Sequence, residues 1–424
     1  MIRFLFKGLL RDRNRSLLPA LVVTIGVMLT VFLHCYITGV IGDMVDTNAR
    51  FTSGHIKVLT KAYAENMDQS PIDLALEGVS ELTEKLKKEF PTVTWVPRIH
   101  FGGLLDVPDI NGETMKQGVT MGFAADIFSE NSTEIERLNI NKGLVRGSLP
   151  KLPGEILISD DFATKMNVNP GDVVTLLSST MYGSMSVYNF TVTGTIKFGV
   201  GLMDKGTILV DISDARLALD MFDAASEILG YFGNSPYDDL LAEDAVNRFK
   251  TAFPEIEDEF SPTMLRLKEQ GFFSSYLDMV EYFVAIVVSV FVVIMSIVLW
   301  NTGLIGGLRR YGEVGVRLAI GENKGHVYRS MISESILVGF VGSVFGTIIG
   351  LLLSYWLQTK GIDVGSLMKD TTMMMQSVFY AKITPTAWYI GFFPGLFSTV
   401  LGTMLSGIGI YKRQTAQLFK ELEV

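Results

Sequence analysis

Four long apolar runs constrain the fold of this chain more than any other feature of its sequence. They are Ser16–Val40 and, with looser bounds, Tyr282–Ile305, Ile336–Leu357 and Trp388–Tyr411. An α-helix needs about 20 mostly apolar residues to cross a lipid bilayer, and each run approaches that length. A helix buried in a soluble core is the alternative for any single run, but the recurrence favours four transmembrane helices.

The first apolar run has a second alternative, because a secretory signal peptide is also apolar and lies near an N-terminus. Its stretch is longer than the about 7–15 residues of a signal-peptide core, and no small-x-small cleavage site follows it. Cys35 follows the bulky residues Phe32, Leu33 and His34, which disfavours a lipid-attachment site. We therefore expect a retained membrane anchor.

The distribution of charge predicts the orientation in the membrane. Residues 1–15, 306–332 and 412–424 together hold 13 basic and 5 acidic side chains, a net charge of +8. Basic segments beside transmembrane helices stay in the cytoplasm, so both termini are expected there. Residues 41–276 hold 20 basic and 35 acidic side chains, net −15, and are expected on the opposite side. The whole-chain charge of −9 argues against nucleic-acid binding.

The sequence therefore predicts a polytopic α-helical membrane protein with four transmembrane helices, cytoplasmic termini and a large extracytoplasmic α/β domain. That domain is long enough to bury its own core, and it mixes alternating segments with amphipathic ones. The expected segments are 1–15 (cytoplasmic), 16–40 (first span), 41–276 (α/β domain), 277–305 (second span), 306–332 (cytoplasmic loop), 333–357 (third span), 358–385 (short outer loop), 386–411 (fourth span) and 412–424 (cytoplasmic tail).

No catalytic or metal-binding constellation emerges from the residue types and their spacing. Cys35 is the only cysteine, the four histidines lack a metal-ligand spacing, and no G-x-S-x-G motif occurs. No G-x-x-x-x-G-K-[ST] phosphate loop occurs either. We expect a chain that is not an enzyme and carries no cofactor or metal. If ATP is used, it binds to another polypeptide.

The loop between the second and third apolar runs combines basic, apolar and glycine residues at helical spacing. A short amphipathic helix that stops at a glycine fits this pattern. Such a helix either lies on lipid headgroups or docks into a cytoplasmic partner. The residues expected to form it are Leu308, Arg309, Arg310, Glu313, Val314, Arg317, Leu318 and Gly321.

Glycines recur in the third run at a spacing that lets two helices approach closely. We expect them to pack against another helix; they are Gly339, Gly342, Gly346 and Gly350. No chain of acidic, Lys or His side chains crosses the four runs. A proton or ion pathway is therefore disfavoured.

Two groups of aromatic and methionine residues in the α/β domain are candidate contact sites, with ordinary core packing as the alternative. One is a candidate partner-binding loop with Met181, Tyr182, Met185 and Tyr188. The other is a candidate substrate-facing group just before the second span, with Phe272, Phe273 and Tyr276. Aromatic side chains at that depth also form interfacial belts without any substrate role.

The layout of one span, a large α/β domain and three further spans resembles the MacB/LolC/LolE/FtsX-like ABC transporter permeases, the type VII or mechanotransmission systems. The segment RRYGEVGVRLAIG (309–321) is similar to the cytoplasmic coupling helix of that family, and SESILVGFVGSVFGTIIG (333–350) to its third span. Segments such as GEILISDDFATKMNVNPGDVVTLLS and FTVTGTI follow the family's order. The resemblance implies porter-like and Sabre-like subdomains in the α/β domain.

The resemblance also implies a function and partners. Two permease subunits, identical or paralogous, would assemble with two cytoplasmic ABC ATPase subunits that bind ATP and Mg²⁺, in a bacterial inner membrane with the α/β domain in the periplasm. The chain looks most like LolC and LolE permeases, which release lipoproteins from the inner membrane lipid to a periplasmic chaperone. MacB-like efflux of peptides or small molecules through an outer-membrane partner and FtsX-like signalling to a cell-wall hydrolase are the alternatives.

Overall fold

The structure is a computed structural model of the 424-residue chain. It describes residues 13–109, 111–129, 132–199, 201, 203–233, 236–253, 258–308, 311–363 and 378–412. The chain divides into two compact units, which are treated separately below. The membrane unit comprises Met1–Gly42, Val280–Ile362 and Phe379–Val424, and the α/β unit comprises Asp43–Met279 and Asp363–Val378.

The secondary-structure elements are labelled in chain order. The α-helices are α1 (Arg13–Asn48), α2 (Lys61–Glu65), α3 (Val79–Glu89), α4 (Glu134–Arg137), α5 (Ile140–Gly143), α6 (Asp160–Met166), α7 (Ile212–Ala218), α8 (Asp239–Ala252), α9 (Gly271–Leu308), α10 (Tyr311–Ala319), α11 (Lys324–Lys360) and α12 (Phe392–Lys412). The strands are β1 (Ile56–Thr60), β2 (Leu76–Glu77), β3 (Thr94–Pro108), β4 (Thr114–Ala125), β5 (Leu144–Gly147), β6 (Glu155–Ser159), β7 (Val173–Ser179), β8 (Met185–Ile196), β9 (Thr207–Asp211), β10 (Ala224–Ala225), β11 (Glu227–Tyr231), β12 (Pro262–Arg266), β13 (Ile362–Asp363) and β14 (Val378–Phe379). A π-helical turn, Ala49–Ser53, follows α1.

Within the described residues, four helical segments are long and apolar enough to cross a membrane, as the sequence predicts. They are Leu17–Ser53, Tyr282–Ile305, Lys324–Lys360 and Pro385–Ile408. The helices extend beyond the predicted spans: α11, for example, begins at Lys324, nine residues before the expected start of the third span. Hydropathy marks only the apolar part of a helix, whereas its backbone hydrogen bonds continue into polar flanks.

The α/β unit is built around one long strand, β3, which pairs with three neighbours. Its first part pairs with β11, and its second part pairs with β4 on one edge and β7 on the other. From β4 the pairing continues through β9, β6 and β8 to β7, which returns to β3. These six strands therefore close into a barrel. On the other side of β3, strands β11, β1 and β12 form an open antiparallel extension.

Two barrel strands are buried on both faces, which explains their continuous apolar sequences. In β6, Ile156 and Ile158 belong to one apolar cluster and Leu157 to another, and all three are fully buried. In β9, Ile208 and Leu209 divide between the same two clusters. Strands covered on both faces lose the apolar/polar alternation of a half-exposed strand.

A buried arginine ties the chain that enters the α/β unit to β3. Arg98 is fully buried, and its guanidinium lies 2.8 Å from the Glu134 carboxylate. It also donates hydrogen bonds to the carbonyl oxygens of Phe51 and, at 3.1 Å, of Arg50 in the π-helical turn. A buried charge needs such partners because desolvation without them is very unfavourable. Arg98 therefore fixes the π-helical turn against the strand.

The segment that leaves the α/β unit is fixed beside the segment that enters it. Ala49 and Leu267 are fully buried in one small apolar cluster. The Gln270 side-chain amide donates a hydrogen bond of 3.2 Å to the Ser53 carbonyl oxygen. The two connections therefore share one corner of the unit.

Candidate functional site

The short helix α10 ends where the glycine pattern indicates, although it begins at Tyr311 and not at Leu308. Gly321 has φ = 98°, a left-handed conformation that favours glycine. The backbone amide of Gly321 donates a hydrogen bond of 3.1 Å to the Leu318 carbonyl oxygen. The backbone amide of Glu322 donates one of 3.0 Å to the Arg317 carbonyl oxygen. This pair of bonds is the Schellman arrangement that ends a helix.

One side of α10 packs inside the membrane unit. Val314 is 2% exposed and contacts Val327 and Met331 of α11, with Leu318 partly buried against the same cluster. Both Val314 and Leu318 were expected in the docking helix. In the structure, they attach α10 to α11.

The opposite side of α10 is exposed and carries both charge and apolar surface. Its residues Glu313, Val316, Arg317 and Ile320 follow the i, i+3, i+4, i+7 spacing of one helix face. The exposed fraction is 45% for Val316 and 82% for Ile320. The Arg317 guanidinium lies 3.2 Å from the Glu322 carboxylate. We call these four residues the exposed face of α10.

Sequence reasoning missed Val316 and Ile320 as site residues. The helix carries two apolar pairs on different sides, an internal pair (Val314 and Leu318) and an exposed pair (Val316 and Ile320). Hydrophobic periodicity finds both pairs but does not say which pair packs internally. Leu308 is the last residue of α9. Arg309 and Arg310 lie outside the described residues.

The glycines of α11 meet valines of α1 at the same four-residue interval. A Cβ atom added at Gly342, Gly346 or Gly350 would lie 2.7–2.9 Å from the Cβ atom of Val23, Val27 or Val31, respectively. Gly339 faces α12 instead, and its added Cβ would lie 3.2 Å from Leu396 Cδ1. These glycines allow close helix contact within this chain.

The candidate partner-binding loop divides into core and surface. Met181 is 6% exposed and packs in the main core of the α/β unit. Tyr188 is partly buried, and its ring centroid lies 4.8 Å from that of Phe190. Both side chains therefore contribute to core packing, and their contact with a partner stays a prediction. Tyr182 and Met185 are 72% and 74% exposed and remain available.

Met185 borders an exposed apolar row that crosses the outside of the barrel. Val119, Leu104, Leu177 and Val187 are directly paired across β4, β3, β7 and β8. Val119 is 75% exposed and Val187 is 61% exposed. The sequence does not reveal this row, because its members come from distant segments that only the barrel pairing brings together.

The candidate substrate-facing residues Phe272, Phe273 and Tyr276 lie at the start of α9. Their side chains are outside the part of the chain that the structure describes. Their proposed contact with substrate therefore stays a prediction.

Buried titratable groups in the α/β unit have structural partners. Burial of Glu227 alone would raise its pKa, but Lys57 Nζ at 2.7 Å and the His100 ring at 3.1 Å lower that pKa to about 2. Burial lowers the pKa of His55 to about 4. Among the described residues, no group of three His, Cys, Asp or Glu side chains is placed to hold a metal ion.

Comparisons with known proteins agree with this architecture. Residues 285–415 match the family described as FtsX-like permease C-terminal. The LolC lipoprotein-releasing system transmembrane proteins of Xylella fastidiosa strains Temecula1 and 9a5c are each 22% identical to this chain over 285 residues. That match covers 65% of this chain, which spans 65% of the length of each of these curated relatives.

One solved structure gives a weaker comparison. The periplasmic region of MacB from Actinobacillus actinomycetemcomitans aligns with a TM-score of 0.37 and 10% identity, covering 56% of this chain and 98% of that one. This TM-score does not establish a common fold.

Four apolar helices, a large α/β unit and the FtsX-like match over residues 285–415 together make this chain similar to the ABC-type permeases. The family match and the LolC relatives together support the MacB/LolC/FtsX-like permease family.

Proposed function

We propose that this chain is the permease subunit of an ABC complex that releases lipoproteins from a bacterial inner membrane towards the outer membrane. The observation that carries the proposal is the similarity to two LolC proteins, which are named as lipoprotein-releasing system components. The match with the FtsX-like permease family supports the membrane part of the assignment.

The distribution of charge supports the orientation. Because basic segments flank the apolar helices, both termini and α10 are assigned to the cytoplasm. The acidic α/β unit is assigned to the periplasm. Within it, the open extension of β11, β1 and β12 is assigned to the porter-like part and the barrel to the Sabre-like part.

The exposed face of α10 is the proposed seat of a separate ATPase subunit. Ile320 and Val316 offer apolar area, and Arg317 offers a charge beside them. Arginine is enriched among the residues that dominate binding energy in interfaces. Two ATPase subunits would bind ATP and Mg²⁺, and a second permease, identical or paralogous, would complete the complex. This chain itself carries no catalytic residue or cofactor in the proposal.

The relay of motion rests on the corner of the α/β unit where the two connections meet. Arg98 links the π-helical turn after α1 to β3, and Gln270 links the segment before α9 to Ser53. Movement of either helix would therefore reach the same corner. In this mechanism, the lipoprotein leaves the outer leaflet without crossing the membrane.

The client side of the proposal assigns roles to exposed and membrane-proximal residues. Phe272, Phe273 and Tyr276 would face the lipoprotein near the membrane. Tyr182 and Met185, which are exposed at the end of a barrel hairpin, would contact a periplasmic chaperone.

The test is ATP-dependent release in a defined system. The permease, its co-purifying ATPase and a fluorescent triacylated lipoprotein are reconstituted in proteoliposomes, and transfer to a soluble acceptor is measured. Release that requires ATP supports the proposal. A complex that turns over ATP without releasing lipoprotein, and co-purifies with a tunnel-forming adaptor or a cell-wall hydrolase, contradicts it.

A further inference from the structure

The α/β unit contains an open pocket of about 600 Å³. It is lined by β2, the first turns of α3, the turn between β7 and β8, and residues around Phe260. Ligand-binding clefts commonly measure about 300–1,000 Å³. The pocket is therefore large enough to hold a bound group.

The interior of the pocket is apolar, and its mouth is aromatic. Ala75, Leu76 and Met181 line it and are 2%, 3% and 6% exposed. Tyr182 and Phe260 also line it but are 72% and 52% exposed. Exposed aromatic side chains at the mouth of a pocket supply apolar area that a bound group can cover.

The rim of the pocket is acidic. Asp73, Glu77 and Glu81 line it, and the only base in the lining, Lys85, lies 2.7 Å from the Glu81 carboxylate. Asp73 and Glu77 form no ion pair with any side chain in the described part of the chain. Two uncompensated carboxylates beside an apolar floor favour an occupant that is both apolar and cationic.

A strand edge borders the pocket. Strand β2 pairs only with β10, through Ala225 with Leu76 and Ala224 with Glu77, and across the described ranges its other edge has no partner strand. Both Leu76 and Glu77 line the pocket. The pocket therefore lies beside this short strand. An open edge accepts an extended peptide through backbone hydrogen bonds.

We propose that this pocket binds an extended peptide segment of a partner protein in which an apolar side chain is flanked by Lys or Arg. The apolar side chain enters above Ala75 and Met181, and the basic side chains reach Asp73 and Glu77. The peptide backbone adds to the open edge of β2. This site goes beyond the proposed function, because it does not depend on which client the permease serves.

The test uses the full-length chain in a neutral detergent and defined fluorescent peptides. The probe is a seven-residue peptide that alternates Lys with Val and has Phe at its centre. A second peptide replaces each Lys by Glu, and a third keeps all side chains of the probe but carries N-methyl groups along one backbone edge. Anisotropy measures each Kd. Specific binding of the Lys peptide alone is the expected result, because N-methylation removes the donors that pair with a strand edge.

Charge-reversal variants locate the binding site. Asp73→Lys with Glu77→Lys is expected to raise the Kd of the probe about ten-fold, because exposed charge pairs are individually weak but two of them are reversed. The matched control is Glu84→Lys with Glu113→Lys, which makes the same change in net charge at exposed acids outside the lining. Its Kd should change less than about two-fold. Thermal unfolding checks that both variants are folded. Tyr182→Ser, at an exposed site, is a further variant that is expected to weaken binding of the probe.

Three results would overturn the proposal. Equal weakening in the two charge-reversal variants would mean that only the overall charge attracts the probe. Equal binding of the N-methylated peptide would rule out addition to β2. Competition by free phenylalanine amide at the same concentration as the peptide would identify a small-molecule pocket instead.

Discussion

The contact between α1 and α11 leaves no room for a side chain at Gly346, and a single methyl group tests this. The Cβ atom of Gly346→Ala would lie 2.6 Å from the Thr24 carbonyl oxygen and 2.7 Å from Val27 Cβ. Favourable carbon contacts need about 3.5–4.0 Å. Neither neighbour can rotate away, because one is backbone and the other is a Cβ atom. The helices must therefore separate.

The magnitude follows from two opposing effects. Replacing glycine by alanine in a helix contributes about 1 kcal/mol of stability through helix propensity. Forcing an extra methyl into a packed contact costs about 1–3 kcal/mol. Gly339→Ala is the matched control on the same helix: its Cβ would lie 3.2 Å from Leu396 Cδ1, the end of a flexible side chain. We expect Gly346→Ala to be less stable than Gly339→Ala by about 1–3 kcal/mol.

The assay is reversible unfolding of the full-length chain in mixed micelles as the fraction of denaturing detergent increases. Comparing the two alanine variants removes the common gain in helix propensity. If Gly346→Ala unfolds at the same or a higher denaturant fraction than Gly339→Ala, the close contact between α1 and α11 is refuted. A shift confined to assembly with a second subunit would instead place these glycines at an intermolecular contact.

Three further predictions address coupling, the buried arginine and pH. The double variant Arg317→Glu with Ile320→Glu should abolish ATP-driven release while membrane insertion persists, because the exposed face of α10 would no longer bind the proposed ATPase subunit. Normal ATP-driven release would contradict this prediction. Arg98→Met should lower the free energy of unfolding by about 1–3 kcal/mol, because the buried Glu134 carboxylate keeps Arg137 but loses Arg98, and the Phe51 carbonyl oxygen loses its donor. Arg266→Met, which breaks more exposed ion pairs, should cost below about 1 kcal/mol; equal losses in the two variants would refute this prediction. Because the pKa of Glu227 falls from its ordinary value of 4.5 to about 2, its contribution to stability should be present above pH 4.5 and decline as the pH falls towards 2. Chemical unfolding between pH 6 and 2 should show a shallower decline for Glu227→Gln, and an unchanged slope would contradict the assignment.

The four membrane-spanning helices can be predicted from the sequence, because runs of about 20 mostly apolar residues are typical of helices that cross a bilayer. The end of α10 also follows, since Gly321 is the residue that a left-handed helix terminus favours. The barrel, in contrast, cannot be predicted from the sequence pattern. Strand β3 pairs with β11, β4 and β7, and local alternation gives no information on which distant strands will pair. Closure of the ring is therefore a property of tertiary contacts.

Arg98 shows the same limit for the candidate site. A lone arginine in an alternating strand is typical of a solvated face, and its burial depends on partners supplied by residues 50–51 and by Glu134. Likewise, the apolar pairs of α10 are visible in the sequence, but only the contact with Val327 shows which pair is internal. Such roles depend on neighbours that are remote along the chain.

Arg98 occupies the position through which motion would enter the barrel. Residues 94–98 of β3 pair with β11, and pairing with β4 begins at the next residue, Ile99. The open extension and the barrel therefore meet within one strand, at the residue whose guanidinium binds the π-helical turn. In the proposed relay, a displacement of that turn would act on the junction rather than on either sheet alone. If the proposed relay is correct, Arg98→Lys should preserve ATP hydrolysis but weaken its coupling to release, because an ammonium group cannot reproduce the guanidinium's planar set of donors.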